Sequence, residues 1–206
     1  MVYNLHKMKK KQYTVVDLFC GCGGLSKGFE QAGCKVLVGV DFDEAALKTF
    51  EKNHNGAKGM KLDLAKEESF NEISLAVKHN NIDLIIGGPP CQGFSLTGPR
   101  NFDDPRNQLY LDMIETVRRF NPKAFLIENV PGMANLYKGE IKDEIIRRFT
   151  EMGYTVSYKI VCAADYGVPQ IRKRLVFVGL KGDVTPFEFP KPYLDPDNYL
   201  TCKDAI

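Results

Sequence analysis

The sequence predicts an α/β fold of three layers: a mostly parallel sheet with helices on both faces and an antiparallel last strand. Two observations carry this expectation. Short apolar, β-branched runs alternate with helical patterns from Tyr13 onward, and strands separated by helices imply crossovers that pair them in parallel. The last two strand-like runs are instead joined by a loop with no helix signal, so they should pair antiparallel. Size and composition permit such a domain, because 206 residues with 44% hydrophobic and 26% charged side chains can bury a sizeable core.

In order, Tyr13–Phe19 is an apolar run ending in glycines, and a helical pattern follows it through Ala32. Lys35–Val40 is the next strand, followed by a helix near Glu44–Asn53. A short strand around Met60–Leu62 leads into a helix within Glu67–His79. Asp83–Ile86 reads as a strand, Asn107–Phe120 as a helix and Ala124–Ile127 as a strand. Glu140–Met152 is helical, and Thr155–Cys162 and Leu175–Leu180 are the last two strands. After Leu180 the pattern dissolves around Pro186, Pro190, Pro192 and Pro196. The organisation expected is a basic tail over 1–12, one domain over 13–182 and a Pro-rich linker over 183–206 leading toward a further region.

No apolar run approaches the roughly 18 residues needed to span a bilayer, and the N-terminus has no signal-peptide core, so a cytoplasmic protein with no membrane partner is expected. The net charge is +2. Lys7, Lys9, Lys10 and Lys11 exceed that excess by themselves, which leaves the body slightly acidic. A broad basic footprint for nucleic acid is therefore absent, and any such role must come from particular residues. Six cysteines spread over 206 residues suit neither a disulfide scaffold nor a zinc site with two close Cys/His pairs. Reduced thiols and no metal are expected.

Chemistry collects at strand ends. The first strand opens into Asp17-Leu18-Phe19-Cys20-Gly21-Cys22-Gly23-Gly24, where glycines let a ligand approach the backbone and the next helix offers free N–H groups. The dinucleotide fingerprint would require glycine or alanine where Ser26 stands. Asp41 ends the second strand about 20 residues later, where α/β nucleotide binders place a carboxylate on ribose. Phe42 is suited to stack on an adenine ring, and Asp63 to meet its amino group. The bland alternative is a tight turn plus two surface aspartates.

Gly87-Gly88-Pro89-Pro90-Cys91-Gln92 follows the fourth strand. The prolines fix the backbone and so aim the Cys91 thiol at the sheet edge where open α/β folds bind ligands, and the thiolate form is a nucleophile. A lone cysteine is otherwise a small core hydrophobe. Glu128 leaves an apolar strand at the same edge and is a candidate proton donor. In Gln170-Ile171-Arg172-Lys173-Arg174, alternation places Gln170, Arg172 and Arg174 on one face, a set of donors suited to a carbonyl or phosphate oxygen.

Taken together, Phe19-x-Gly21-x-Gly23-Gly24, Asp41-Phe42, Asp63-Leu64, Pro90-Cys91-Gln92, Glu128-Asn129-Val130 and Gln170-x-Arg172-x-Arg174 resemble the cytosine-carbon-5 DNA methyltransferases in order and approximate spacing. The resemblance covers residues 14 to 206. It implies a Rossmann-like methyltransferase fold and S-adenosylmethionine as methyl donor. Phe19, Gly21, Cys22, Gly23 and Gly24 would line the donor's pocket, with Asp41 on the ribose, Phe42, Asp63 and Leu64 at the adenine, and Pro90 and Leu109 closing the site.

By the same resemblance Cys91 would add to carbon 6 of a cytosine flipped out of double-stranded DNA. Glu128 would hold the N3 edge, and Arg174 with Arg172 the base carbonyl. Ser95–Arg106 would form a lid, with Ser95 and Arg106 as phosphate contacts. Restriction-modification is the implied setting, with association to the bacterial nucleoid.

Family members continue into a target-recognition region and return with a further helix, and neither is matched here. The chain is thus expected to be a truncated form or one subunit of a split enzyme that needs a second polypeptide. Alone it should be weak or inactive and prone to self-association through uncovered apolar surface. A tRNA cytosine methyltransferase of the same architecture and a non-catalytic S-adenosylmethionine-binding module are the alternatives.

Overall fold

The computed structural model describes residues 12–78, 81–90 and 108–206. A single seven-stranded sheet forms its spine: β1 (Thr14–Leu18), β2 (Lys35–Asp41), β3 (Lys58–Lys61), β4 (Leu84–Gly87), β5 (Ala124–Asn129), β6 (Tyr154–Cys162) and β7 (Lys173–Lys181). The strands lie in the order β3-β2-β1-β4-β5-β7-β6. β1 to β5 pair in parallel, and β7 runs antiparallel between β5 and β6. The expected fold class is therefore observed, including the antiparallel last strand.

Helices α1 (Gly24–Gln31) and α2 (Glu44–Asn53) cover one face of the sheet, and α3 (Glu67–Val77), α4 (Gln108–Phe120) and α5 (Glu140–Glu151) the other. The two-residue period of β1 feeds both cores. Val15 packs with Leu47 and Phe50 of α2, against Leu25 and Phe29 of α1. Val16 and Leu18 join Ile73, Val77, Met113, Val117, Ile145 and Phe149 on the opposite side. There Phe125 packs tilted against Phe149 and edge-on against Tyr154, with ring centroids 4.0 and 5.2 Å apart. Burial pushes the Tyr154 phenol up to about 12, and its hydroxyl donates to the Pro122 carbonyl at 2.8 Å.

The chain leaves β1 in one direction and β4 in the other, so the ends of these adjacent strands form the topological switch point where open α/β sheets bind ligands. The glycine turn follows β1 and the Pro89-Pro90 turn follows β4.

Several element bounds differ from expectation by one or two residues, and other features carry no periodic signal. β3 covers Lys58–Lys61, earlier than Met60–Leu62, because pairing starts at Val38 with Lys58, and the buried Leu62 lies just past the ladder. Pro131–Gly139 and Ala163–Tyr166 form 3₁₀ turns that no periodicity announces. The Pro-rich stretch is tied to the body. The Tyr193 hydroxyl donates to the Tyr166 carbonyl (2.6 Å), the Tyr166 hydroxyl to the Pro190 carbonyl (2.9 Å), and two backbone N–H groups reach the Asp165 carbonyl (both 3.2 Å). It ends in a short helix, α6 (Cys202–Ala205), closed by a Thr201–Asp204 capping box.

Candidate active site

The turn after β1 is wound tightly. Phe19 takes φ +58°, a conformation side chains rarely adopt, and Gly21 and Gly23 follow at +52° and +89°. Its anchors are short: the Gly21 N–H donates to Asp41 Oδ2 at 2.8 Å, and the Cys20 N–H to the Val40 carbonyl at 3.0 Å. The other Asp41 oxygen accepts the Asp43 N–H at 2.9 Å, and Asp43 caps α2 through the Ala45 N–H at 2.8 Å. The 20-residue spacing thus has a structural meaning besides any ligand: Asp41 holds the glycine turn against β2.

The glycines divide by task. A Cβ on Gly23 would lie 2.0 Å from His54 Nε2 and 2.8 Å from Phe50, so packing requires that glycine. A Cβ on Gly21 or Gly24 would meet nothing within 4 Å, so these two face open space.

Two concavities meet at Phe19. The first is a narrow apolar slot walled by Phe19, Val40, Asp41, Phe42, Leu62, Leu64 and Leu109, with Phe42 50% exposed at its rim. Five of the expected donor-binding residues come together here. Asp63 is not among the slot's walls, and its carboxylate accepts the Ala65 N–H at 3.2 Å and lies 3.7 Å from Lys66 Nζ. Cys22 is exposed and borders a separate groove between α1 and the end of α2.

The second concavity is a cleft of about 640 Å³ lined by Asp17, Phe19, Cys20, Gly24, Leu25, Gly88, Glu128, Ala163, Val168 and Arg172. Glu128 sits at its far side because β5 delivers it to the sheet edge. The antiparallel register pairs Glu128 with Val176, so the residues entering β7 run back past the end of β5. Arg174 Nε meets Glu128 Oε1 at 2.6 Å and an Arg172 amino group lies 3.8 Å away. Gln170 is exposed and does not join them, since β7 begins only at Lys173, and the Gln170 N–H is taken up locally by the Val168 carbonyl at 2.7 Å.

Asn129, buried beside Glu128, donates from Nδ2 to the Pro89 carbonyl at 3.0 Å and accepts the Val130 N–H at 2.8 Å. One strand thus presents the carboxylate and pins the proline turn, in which Pro89 is buried and Pro90 exposed. Cys91, Ser95, Arg106 and the expected lid over 95–106 lie outside the described residues.

Asp17 and Ser26, to which the motifs above give no role, meet behind the glycine turn. Asp17 is 1% exposed and accepts the Ser26 hydroxyl at 2.6 Å. Burial pushes its carboxyl up to about 7, against the pull of the Ser26 hydrogen bonds and with a further push from Asp41. The signal available was one acid inside an otherwise apolar strand. Burial and the neighbouring Asp17 also push the Cys20 thiol well up, which makes it inert. Among the described residues, Cys20, Cys22, Cys34, Cys162 and Cys202 are free thiols, no cluster of His, Cys, Asp and Glu could hold a metal, and no helix is long and apolar enough to cross a membrane.

A doubly wound sheet whose switch point joins an apolar slot to a carboxylate–arginine cleft defines a ligand-binding α/β protein of the Rossmann-like class. Comparison with known proteins narrows it. Residues 13–204 match the model of the C-5 cytosine-specific DNA methylases, and the chain belongs to that family. It is 39% identical over 198 residues to the type II methyltransferase M1.HphI of Haemophilus parahaemolyticus, covering 94% of this chain and 52% of the relative. It is 40% identical over 224 residues to the type II methyltransferase M.AquIA of a Picosynechococcus strain, covering 97% of this chain and 88% of that polypeptide. A crystal structure described as a DNA modification methyltransferase encoded within an Escherichia coli prophage superposes with a TM-score of 0.74 at 34% identity, over 94% of this chain and 54% of its own. The chain therefore spans about half the length of most of these relatives and most of the length of one.

Proposed function

We propose that this chain is the catalytic and donor-binding part of a DNA (cytosine-5) methyltransferase of a restriction-modification system, acting on a cytosine flipped out of duplex DNA. The observation that carries the reading is the cluster at the end of β5: Glu128 is held by Arg174 and Arg172, while its neighbour Asn129 fixes the turn that leads to Cys91. One strand end thereby supplies a carboxylate for a base edge and sets the start of the segment bearing the nucleophile.

The residues fit S-adenosylmethionine. The slot between Phe42, Leu62, Leu64 and Leu109 offers apolar walls to a planar ring, the Asp41 carboxylate stands at its wall for hydroxyl groups, and Gly24 leaves open space at the helix N-terminus. The donor supplies a methyl group activated on a cationic sulfur. The chain's own part is to make carbon 5 of cytosine nucleophilic. The Cys91 thiolate forms a bond to carbon 6, the ring's electron pair moves to carbon 5, and Glu128 hydrogen-bonds the N3 edge where charge develops. Arg174 and Arg172 orient Glu128 and face the base carbonyl. Loss of the carbon-5 proton then expels the cysteine.

Reading and flipping the target belong, in this proposal, to residues beyond this chain, on the same polypeptide or on a second one. The test is covalent trapping on duplex DNA bearing 5-fluorocytosine, with S-adenosylmethionine and the complementary polypeptide present. A denaturation-resistant protein–DNA adduct is expected with the native chain and none with Cys91→Ala. An adduct that survives Cys91→Ala would remove the proposal's nucleophile.

A further inference from the structure

The two edges of the sheet differ in kind. β3, at one end, is four residues long and carries exposed Lys58 and Lys61 at its termini, and its Gly59 N–H is taken by the Glu51 carboxylate at 3.0 Å. Short length, lysines and a covering side chain are devices that keep an edge from pairing with another chain. β6, at the other end, runs nine residues, holds no proline, and pairs with β7 throughout without a bulge. Its one charged residue is Lys159.

Alternation tells which backbone groups β6 leaves open. The Ala163 N–H turns inward to the Arg172 carbonyl at 2.9 Å, so the odd-numbered residues of β6 exchange hydrogen bonds with β7, and Val156, Tyr158 and Ile160 aim theirs outward. Among the described residues, nothing pairs with these outward N–H and carbonyl groups. Their side chains form an apolar row on the α5 face of the sheet. Val156 packs on the core, while Tyr158 and Ile160 are 45% and 43% exposed. Tyr158 is fixed where it stands. Its ring lies 5.9 Å from that of Phe177, and Lys142 of α5, itself paired with Asp143, covers it at 4.8 Å and donates to its hydroxyl at 3.3 Å.

We propose that β6 is a homodimerisation edge: two copies of this chain join their β6 strands antiparallel about a two-fold axis at Tyr158, so that their sheets become one. The occupant is a second copy because the strand is complementary to itself. In a ladder centred on Tyr158, Val156 faces Ile160 of the second copy and Tyr154 faces its Cys162, so all nine residues are paired and the outward backbone groups meet one another. The apolar row continues across the axis, and on the opposite face Lys159 meets Ser157. An axis at Lys159 would set two ammonium groups face to face, and one at Ser157 would leave Val161 and Cys162 without strand partners.

At about 3.3 Å per residue the ladder is roughly 30 Å long, a contact at the small end of specific interfaces, so the dimer forms and dissociates reversibly with concentration. No residue of β6 lines the slot or the cleft, and the inference is independent of the methyl-transfer reading.

The experiment is sedimentation velocity of the full chain from about 1 to about 200 µM, with amide exchange followed by NMR at both ends of that range. A monomer–dimer equilibrium is expected. The Val156, Tyr158 and Ile160 amides should be protected only at the higher concentration, and those of Ser157 and Lys159, bonded to β7, at both. Ser157→Lys sets a lysine against Lys159 twice across the axis and should weaken the dimer about fivefold; adding Lys159→Glu turns both contacts into ion pairs and should restore it. The amide readout uses the native chain and so does not depend on either variant folding. A monomer throughout the range, a dimer whose Tyr158 and Ile160 amides stay unprotected, or one indifferent to the charge exchange would overturn the inference.

Discussion

The charge state of Asp17 makes a prediction about stability that needs no ligand. Its carboxyl is pushed from the ordinary 3.8 up to about 7 by burial, so between those values the folded chain binds a proton that the unfolded chain has lost. For such a group the stabilisation is present at low pH and is lost as pH rises through the folded midpoint. Across the window from pH 5 to pH 7, at about 1.4 kcal/mol per pH unit and with the group half titrated at its upper end, the loss is roughly 2 kcal/mol. Asp17→Asn keeps an acceptor for the Ser26 hydroxyl and removes the titration. Urea unfolding of both proteins across pH 5 to 8 isolates this group, because all other ionisations cancel in the difference. The variant should match the native chain only below about pH 4, and its advantage should grow by roughly 3 kcal/mol between pH 5 and pH 8. Parallel curves would mean that Asp17 is ionised in the folded chain throughout this range, and the reasoning from burial would fail.

Two further predictions concern the turns on either side. Gly23→Ala places a Cβ 2.0 Å from His54 Nε2 at a φ of +89° and should cost at least about 2 kcal/mol by urea midpoint; Gly24→Ala, with open space at that position, should keep native stability yet weaken donor binding in calorimetry. Asn129→Ala leaves the buried Pro89 carbonyl without its donor, and should cost about 1–3 kcal/mol of stability and slow adduct formation on 5-fluorocytosine DNA at least tenfold, as read from a gel time course.

The layered fold was legible because alternation and crossover logic are local. β1 carries its own two-residue pattern, and the helix-free link to β7 dictates antiparallel pairing. The geometry of the candidate site was legible where residues sit at strand ends, since the sheet brings Phe19, Asp41, Phe42, Leu64 and Leu109 to one slot, and Glu128, Arg172 and Arg174 to one cluster. Gln170 stands three residues before β7 begins, where its N–H closes a local turn onto the Val168 carbonyl. Contacts made through space between distant segments left no periodic trace. Asn129 reaching Pro89, Gly23 yielding to His54, and Tyr193 closing on Tyr166 all depend on side chains of different elements meeting.

Ser26 shows how such a contact can still be inferred. Against the dinucleotide pattern it is a missing glycine, and that comparison explains only what the turn is not. Its hydroxyl is needed because Asp17 stands opposite in an otherwise apolar strand, and a buried acid with no cation requires a donor. Two departures from pattern, a polar residue in place of glycine and an acid in place of a hydrophobe, account for each other once they are placed face to face.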